Sequence, residues 1–248
     1  MNQYSQIVCR YCQCKDLVKN GHSENGTQRY RCNGCRRSFQ HEYTYAAWLP
    51  DVKEQIIEQT LNSSGVSDIS RNLDIAKPTV IAELRRQEPS DVNLAYADYL
   101  RCTMSPGIAI DIRIEADEFW SFVGKKSNQR WTWYALDRAN GVILAHQNGR
   151  RLDTVCEQLF KKLEIFPIKT VYTDNWQSYA KCIPAEKHCI GKKDTWKIER
   201  TNLNFRTHLK RLHRKTICFS RNEEIHDKVI GLYIEREYYS DPYFAKTA

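Results

Sequence analysis

At 248 residues, with 41% hydrophobic and 27% charged side chains, the chain has material for one sizeable core plus one or two small modules, which excludes wholesale disorder. Its formal net charge of +8 favours an anionic partner. No run approaches the roughly 18 apolar residues of a membrane span, and the first residues lack the apolar core of a signal peptide. A cytoplasmic location is therefore expected, where ten cysteines read as metal ligands and core thiols rather than a disulfide framework.

The first module, residues 1–45, carries Cys9 and Cys12, then Cys32 and Cys35, two CxxC pairs with 19 residues between them. A two-residue spacer lets one tight turn aim both sulfurs at the same ion, so the four thiolates suit tetrahedral Zn2+. Residues 26–31 read as a turn and strand feeding the second pair, and Phe39 as the plug of a small core, giving a zinc ribbon whose metal supplies much of its folding energy. Cys14 could replace Cys12 as a ligand; the preferred reading leaves it as a spare thiol. Arg10, Arg29, Arg31, Arg36 and Arg37 tilt this module toward nucleic acid.

Residues 46–90 are helical in pattern. Val52, Ile56, Ile57 and Leu61 mark an amphipathic helix, a second spans Val66 to Leu73, and a third begins at Lys77, with Pro78 suited to a first helical turn. This is the outline of a helix-turn-helix, with a plain three-helix packing unit as the alternative. On the first reading Lys77, Thr79 and Val80 lead the recognition helix toward base edges, while Arg85 and Arg86 reach phosphates of double-stranded DNA. Residues 91–107 read as a linker with breakers around a possible short helix through Tyr96 to Leu100.

The last segment, residues 108–248, predicts strands at 108–117, 130–137 and 141–149, the latter two joined as a hairpin, then a helix over 154–163. A strand from Ile168 to Tyr172, a short helical piece near Trp176 and a brief strand around 187–190 follow. Next comes a basic helix whose apolar stripe is Ile198, Phe205, Leu209 and Leu212, bordered by Glu199, Asn202, Arg206 and Lys210. A final helix starts in the capping-box pattern of Ser220 to Glu223. The succession implies an α/β domain in which helices cover a mixed sheet.

Asp117 and Asp174 both fall where a strand is about to end, and Glu199 begins a helix able to lie across that edge. Three converging carboxylates would bind two hard divalent cations, Mg2+ or Mn2+, about 4 Å apart and suited to phosphoryl chemistry. Asp111, Glu115 and Glu118 compete for the first position; Glu115 shares a strand face with Asp117, and Glu118 does not. Asn202 and Arg206, one and two turns beyond Glu199, are candidates to grip a phosphate, with Lys210 further along the same basic stretch. Trp120 or Trp176, at strand ends, could stack on a displaced base.

Asp117, Glu118 and Trp120, then Val123 to Lys126, the run from Arg130 to Asp137, the trio Thr173, Asp174 and Trp176, and the run from Ile198 to Leu209 together resemble the insertion-sequence-1-type transposases. The similarity spans nearly the whole chain, because that family also carries a CxxC zinc module and a helix-turn-helix ahead of its catalytic domain. It implies a ribonuclease-H-like fold and a DDE triad of Asp117, Asp174 and Glu199; 24 residues separate the last two, as in the family pattern. It further implies binding to terminal inverted repeats and target DNA, metal-dependent strand cleavage and transfer by a freed 3′-hydroxyl, and action at the nucleoid of a bacterium or archaeon. Two DNA ends must be held together, for which a homodimer or larger synaptic complex is expected. Two rival readings are a non-catalytic repressor of the same element and an enzyme using Tyr172 or Tyr179 as a nucleophile.

Overall fold

The computed structural model describes residues 7–41, 45, 47, 49–103, 111–191 and 196–239. The chain forms two compact units, Met1–Val52 and Lys53–Ala248. In the first, β1 (Leu17–His22), β2 (Gln28–Cys32) and β3 (Ser38–Gln40) make an antiparallel sheet in that order. Gly26 turns the β1–β2 connection at φ +81, a conformation that favours glycine. Phe39 is the plug expected: buried, with Tyr30 and Tyr11 packed on its ring, beside Cys9 and Cys32.

Three helices follow, α1 (Pro50–Leu61), α2 (Val66–Asn72) and α3 (Lys77–Arg86). Ile56, Ile69, Val80 and Leu84 are buried, as the helical spacing requires. The turn between α2 and α3 pivots on Asp74, at φ +49, a left-handed conformation that aspartate tolerates. Val80 is therefore a core residue, and the expectation that it meets base edges is withdrawn.

The larger sheet holds β4 (Ile112–Phe122), β5 (Gln129–Asp137), β6 (Ile143–Gly149), β7 (Ile168–Thr173) and β8 (His188–Ile190), in the order β6-β5-β4-β7-β8. The hairpin strands β4, β5 and β6 pair antiparallel, whereas β7 and β8 join as parallel strands on the other side of β4. Alternation along β4 divides its side chains. Ile112, Ile114 and Ala116 pack with α4 (Leu94–Thr103), α5 (Asp153–Leu163) and α6 (Gln177–Cys182). Phe119 packs on the opposite face with α7 (Trp196–His208) and α8 (Glu223–Ile234), through Ile198, Phe205, Val229 and Ile230. On that face Ser121 of β4 meets the ring of His226 at 3.0 Å; burial pushes His226 down to about 3, so the anchor is a neutral imidazole.

Several elements depart from expectation. The predicted first strand began at residue 108, but residues 104–110 lie outside the described residues and β4 continues to Phe122, so Asp117 sits in mid-strand rather than near its end. The edge is created by β7, which stops at Thr173 while β4 runs on. Part of the expected linker is α4, whose Tyr96, Ala97 and Leu100 belong to the sheet's core. The basic helix ends at His208 because Leu209 is extended (φ −107, ψ 96); a 3-10 turn, Lys210–Leu212, still buries Leu209 and Leu212. Helix α8 is capped by Asn222, whose Oδ1 accepts from the Ile225 N–H at 2.9 Å, and not by Ser220, which pairs with Val123 and His226 instead.

Helix-turn-helix and sheet lie in the same compact unit. Arg85 pairs with Glu224 at 3.4 Å, Arg236 with Glu58 at 2.9 Å, and Ser63 Oγ accepts from the Lys210 N–H at 2.9 Å. Gly231 permits closest approach, since a Cβ there would stand 2.7 Å from Pro89 Cγ.

Candidate active site and cysteine centre

Cys9, Cys12, Cys32 and Cys35 bring their sulfurs within 4.8 Å of one another. Two of the separations, Cys9 to Cys35 and Cys12 to Cys32, are 3.6 Å. Sulfurs bound to zinc at about 2.3 Å in a tetrahedron stand about 3.8 Å apart, so the four thiols match that geometry. The Cys32 thiol is pulled down to about 6, chiefly by the Cys35 backbone N–H donating to its sulfur, while the adjacent Cys12 thiol is pushed up, so without a cation only one of this sulfur pair readily ionises. Cys14 is outside this foursome; its sulfur accepts from the Asp16 N–H at 3.4 Å.

In the second unit, β4 and β7 are in parallel register with Glu115 opposite Tyr172. Two residues beyond that pair, Asp117 stands in β4 and Asp174 lies just past the end of β7, near enough for its charge to act on Asp117. The Asp117 carboxyl is pushed above the usual carboxylate range, first by burial and further by the charge of Asp174, while a hydrogen bond from Asn202 opposes the rise. Asn202 Nδ2 donates to Asp117 Oδ2 at 2.7 Å, and its own Oδ1 accepts from the Tyr134 hydroxyl at 3.0 Å. Asp174 Oδ1 accepts the Trp176 backbone N–H at 3.0 Å.

Glu199 lies one turn before Asn202 on α7, exposed, in a cleft of about 640 Å³ also lined by Asn202, Arg206, His213 and Arg214. The structure thus joins Asp117, Asp174 and Asn202 and sets Glu199 on the helix that reaches Asp117. It does not draw the three acids into one tight group. Among the described residues only the cysteines form a set of three or more His, Cys, Asp or Glu with all donor atoms within 4.8 Å.

The competing carboxylates are engaged elsewhere. Asp111 pairs with Lys169 at 2.9 Å, buried Glu115 with Arg138 at 3.2 Å, and Glu118 faces away from Asp117 toward Arg151 and Tyr179. Neither tyrosine suits nucleophilic attack. Tyr172 lies under the Arg138 guanidinium, and the Tyr179 hydroxyl, donating to Glu118 at 2.6 Å, has its ionisation pushed far up by burial. Trp176 packs on Trp133 and Trp120 on Phe122, so both are chiefly packing residues.

On α3, Lys77 is exposed and Thr79 half-buried. Arg85 pairs with Glu224 of α8 and Arg86 with Glu83 at 3.2 Å, each arginine remaining more than half exposed. Lys210 is exposed beyond the end of α7. Arg206 borders the cleft, its guanidinium near Asp117. Sequence reasoning overlooked Tyr134, which orients Asn202, and Arg151. Neither has a spacing signal, because each acts on a partner from a distant part of the chain.

A mixed sheet with its first three strands antiparallel, two parallel strands added beside the first, and one acid on the first strand with another just past the end of the fourth defines the ribonuclease-H-like class. The family model described as IS1 transposase matches residues 110–240, and that described as InsA C-terminal domain matches residues 43–87. The chain belongs to the IS1 transposase family. It is 51% identical over 122 residues to the insertion element iso-IS1n protein InsB of Shigella dysenteriae, covering 49% of this chain and 93% of that protein. Its identity to the insertion element IS1 protein InsB of Shigella flexneri is 44% over 125 residues, covering 50% of this chain and 95% of that protein. The solved Drosophila P element transposase strand transfer complex overlaps 71% of this chain and 46% of its own at 11% identity, and its TM-score of 0.30 carries no weight here.

Proposed function

We propose that this DNA transposase binds the terminal inverted repeats of its insertion sequence through the cysteine module and helix-turn-helix, and cuts and joins DNA at Asp117, Asp174 and Glu199. The observation that carries the reading is Asp117 on β4 with Asp174 just past the end of the parallel strand β7, close enough for their charges to interact, and Asn202, from the helix bearing Glu199, bonded to Asp117. Two like charges held together in a half-buried notch, with oxygen donors only, suit a hard divalent cation. When bound there, Mg2+ or Mn2+ would supply activation of the attacking hydroxyl and stabilisation of the leaving oxygen.

The chain's own residues do the rest. Asn202 donates to Asp117 and orients it, opposing the rise that burial causes, with Tyr134 fixing the amide. Arg206 and Arg214 offer cations along the cleft to a DNA phosphate, with His213 as a further polar side chain there and Lys210 beyond them. Lys77, Thr79, Arg85 and Arg86 are assigned to DNA contact from α3, and Zn2+ on Cys9, Cys12, Cys32 and Cys35 to the folding of the first module. No described helix is long and apolar enough to cross a membrane. We assign the protein to the cytoplasm and the nucleoid, as a dimer or larger assembly pairing two DNA ends.

The test is Asp117→Asn, assayed for Mn2+-dependent cleavage and strand transfer on repeat-ended DNA. Loss of both reactions with unchanged gel-shift affinity is expected. Joining at the wild-type rate would remove Asp117 from the chemistry, and absence of joining by the wild-type protein itself would favour the repressor reading.

A further inference from the structure

Behind the paired acids lies a second cluster, on the opposite face of β4. Glu118 follows Asp117 in the strand, so the pleat turns their side chains to opposite sides. Glu118 is buried, and both its oxygens are occupied. Oε1 accepts from Arg151 Nε at 3.0 Å and Nη2 at 2.5 Å, and Oε2 accepts from the Tyr179 hydroxyl at 2.6 Å. The Arg151 guanidinium lies against two indoles, 4.8 Å from the Trp131 ring centre and 4.4 Å from that of Trp176.

The geometry has a consequence for Asp174. Its loop passes from the end of β7 to α6 through Trp176, whose backbone N–H holds Asp174 Oδ1 and whose ring is stacked on Arg151. Tyr179, three residues on, bonds Glu118 directly. The segment carrying one acid is therefore tied at two points to the residue next to the other acid, once through Arg151 and once through Tyr179. Trp131, from the neighbouring strand, gives the guanidinium a second aromatic contact.

We propose that Arg151 is a positioning residue, clamping Trp176 to Glu118 and so setting the separation of Asp117 and Asp174 across which a divalent cation is held. This rests on the assignment of those two acids as metal ligands. Among the described residues Arg151 hydrogen-bonds neither acid, and it acts through Glu118 and Trp176. Lysine cannot replace it. An ammonium has no planar fork for Glu118 and no flat face for two indoles.

The test compares wild type, Arg151→Lys and Arg151→Met as full-length, zinc-loaded proteins bound to repeat-ended DNA. Mn2+ affinity is read from the EPR signal of the free ion, and cleavage is titrated against Mn2+. Both variants should bind Mn2+ about 10- to 100-fold more weakly, the range for supports behind metal ligands. The Mn2+ concentration giving half-maximal cleavage should rise by the same factor, while DNA affinity and the rate at saturating Mn2+ stay within about threefold of wild type. The milder Arg151→Lys serves where Arg151→Met does not fold. Wild-type Mn2+ affinity in a folded Arg151→Lys protein would overturn the proposal, as would a fall in saturated rate without a shift in the metal midpoint. Asp117→Asn, run alongside, separates the two claims: if it cleaves normally, the assignment of the acids fails whatever Arg151 does.

Discussion

Asn202 illustrates how a side chain's environment redirects the role its position suggests. On α7 it stands one turn after Glu199, a site from which a phosphate could be held, yet its amide is used at both ends, donating to Asp117 and accepting from Tyr134. An amide so held supports the carboxylate rather than the substrate. Asn202→Ala should lower single-turnover cleavage about 10- to 100-fold, as loss of a hydrogen bond behind a metal ligand does, with DNA affinity unchanged by gel shift. A drop in DNA affinity with normal cleavage of bound DNA would return Asn202 to phosphate contact. The position was legible because helical spacing places Asn202 beside Glu199. Its partner was not, since Asp117 lies 85 residues earlier and only the assembled sheet brings it within reach.

At the level of elements, hydrophobic period and turn chemistry carried the reading where an element packs one face on a core. The three helices of residues 50–86 and the hairpin strands are of that kind. They misled where tertiary contacts decide. Helix α4 lies in a stretch bounded by prolines and polar residues, and its membership of the core rests on Tyr96 and Leu100 finding the sheet. The apolar stripe running on to Leu212 hid the end of α7, because an extended residue followed by a 3-10 turn buries the same leucines. The cysteine module is the opposite case, for spacing alone identified all four members of the cluster. Its core of Cys9, Cys32 and Phe39 is too small to sustain three short strands without a cross-link. Chelation should therefore expose the amides of residues 7–41 to hydrogen exchange within seconds while those of β4, β5 and β6 remain protected. Protection of the first unit that survives complete zinc removal would show that its apolar contacts suffice.

For the molecule as a whole, basic character suits a DNA partner, but the arrangement of modules says more than the net charge of +8. An expected linker would have let the helix-turn-helix swing freely against the catalytic sheet. Instead α3 is fastened to α8 by Arg85 and Glu224 and by a Lys228 ammonium on the Arg85 carbonyl, α1 is held through Glu58 and Arg236, and Pro89 sits against Gly231. Such a frame behaves as a ruler. On the proposed assignment of α3 to base reading and Asp117 to cutting, the base pairs read and the bond cut keep one distance and one angular phase around the duplex, about 34–36 Å per turn. Moving the cleavage point half a turn away, by inserting about five base pairs, should abolish cutting at the displaced bond, whereas a tethered arrangement would follow it; sequencing the cut ends distinguishes the two. An element built on such a ruler has little freedom to drift in the spacing of its termini, and its ends and its enzyme must change together.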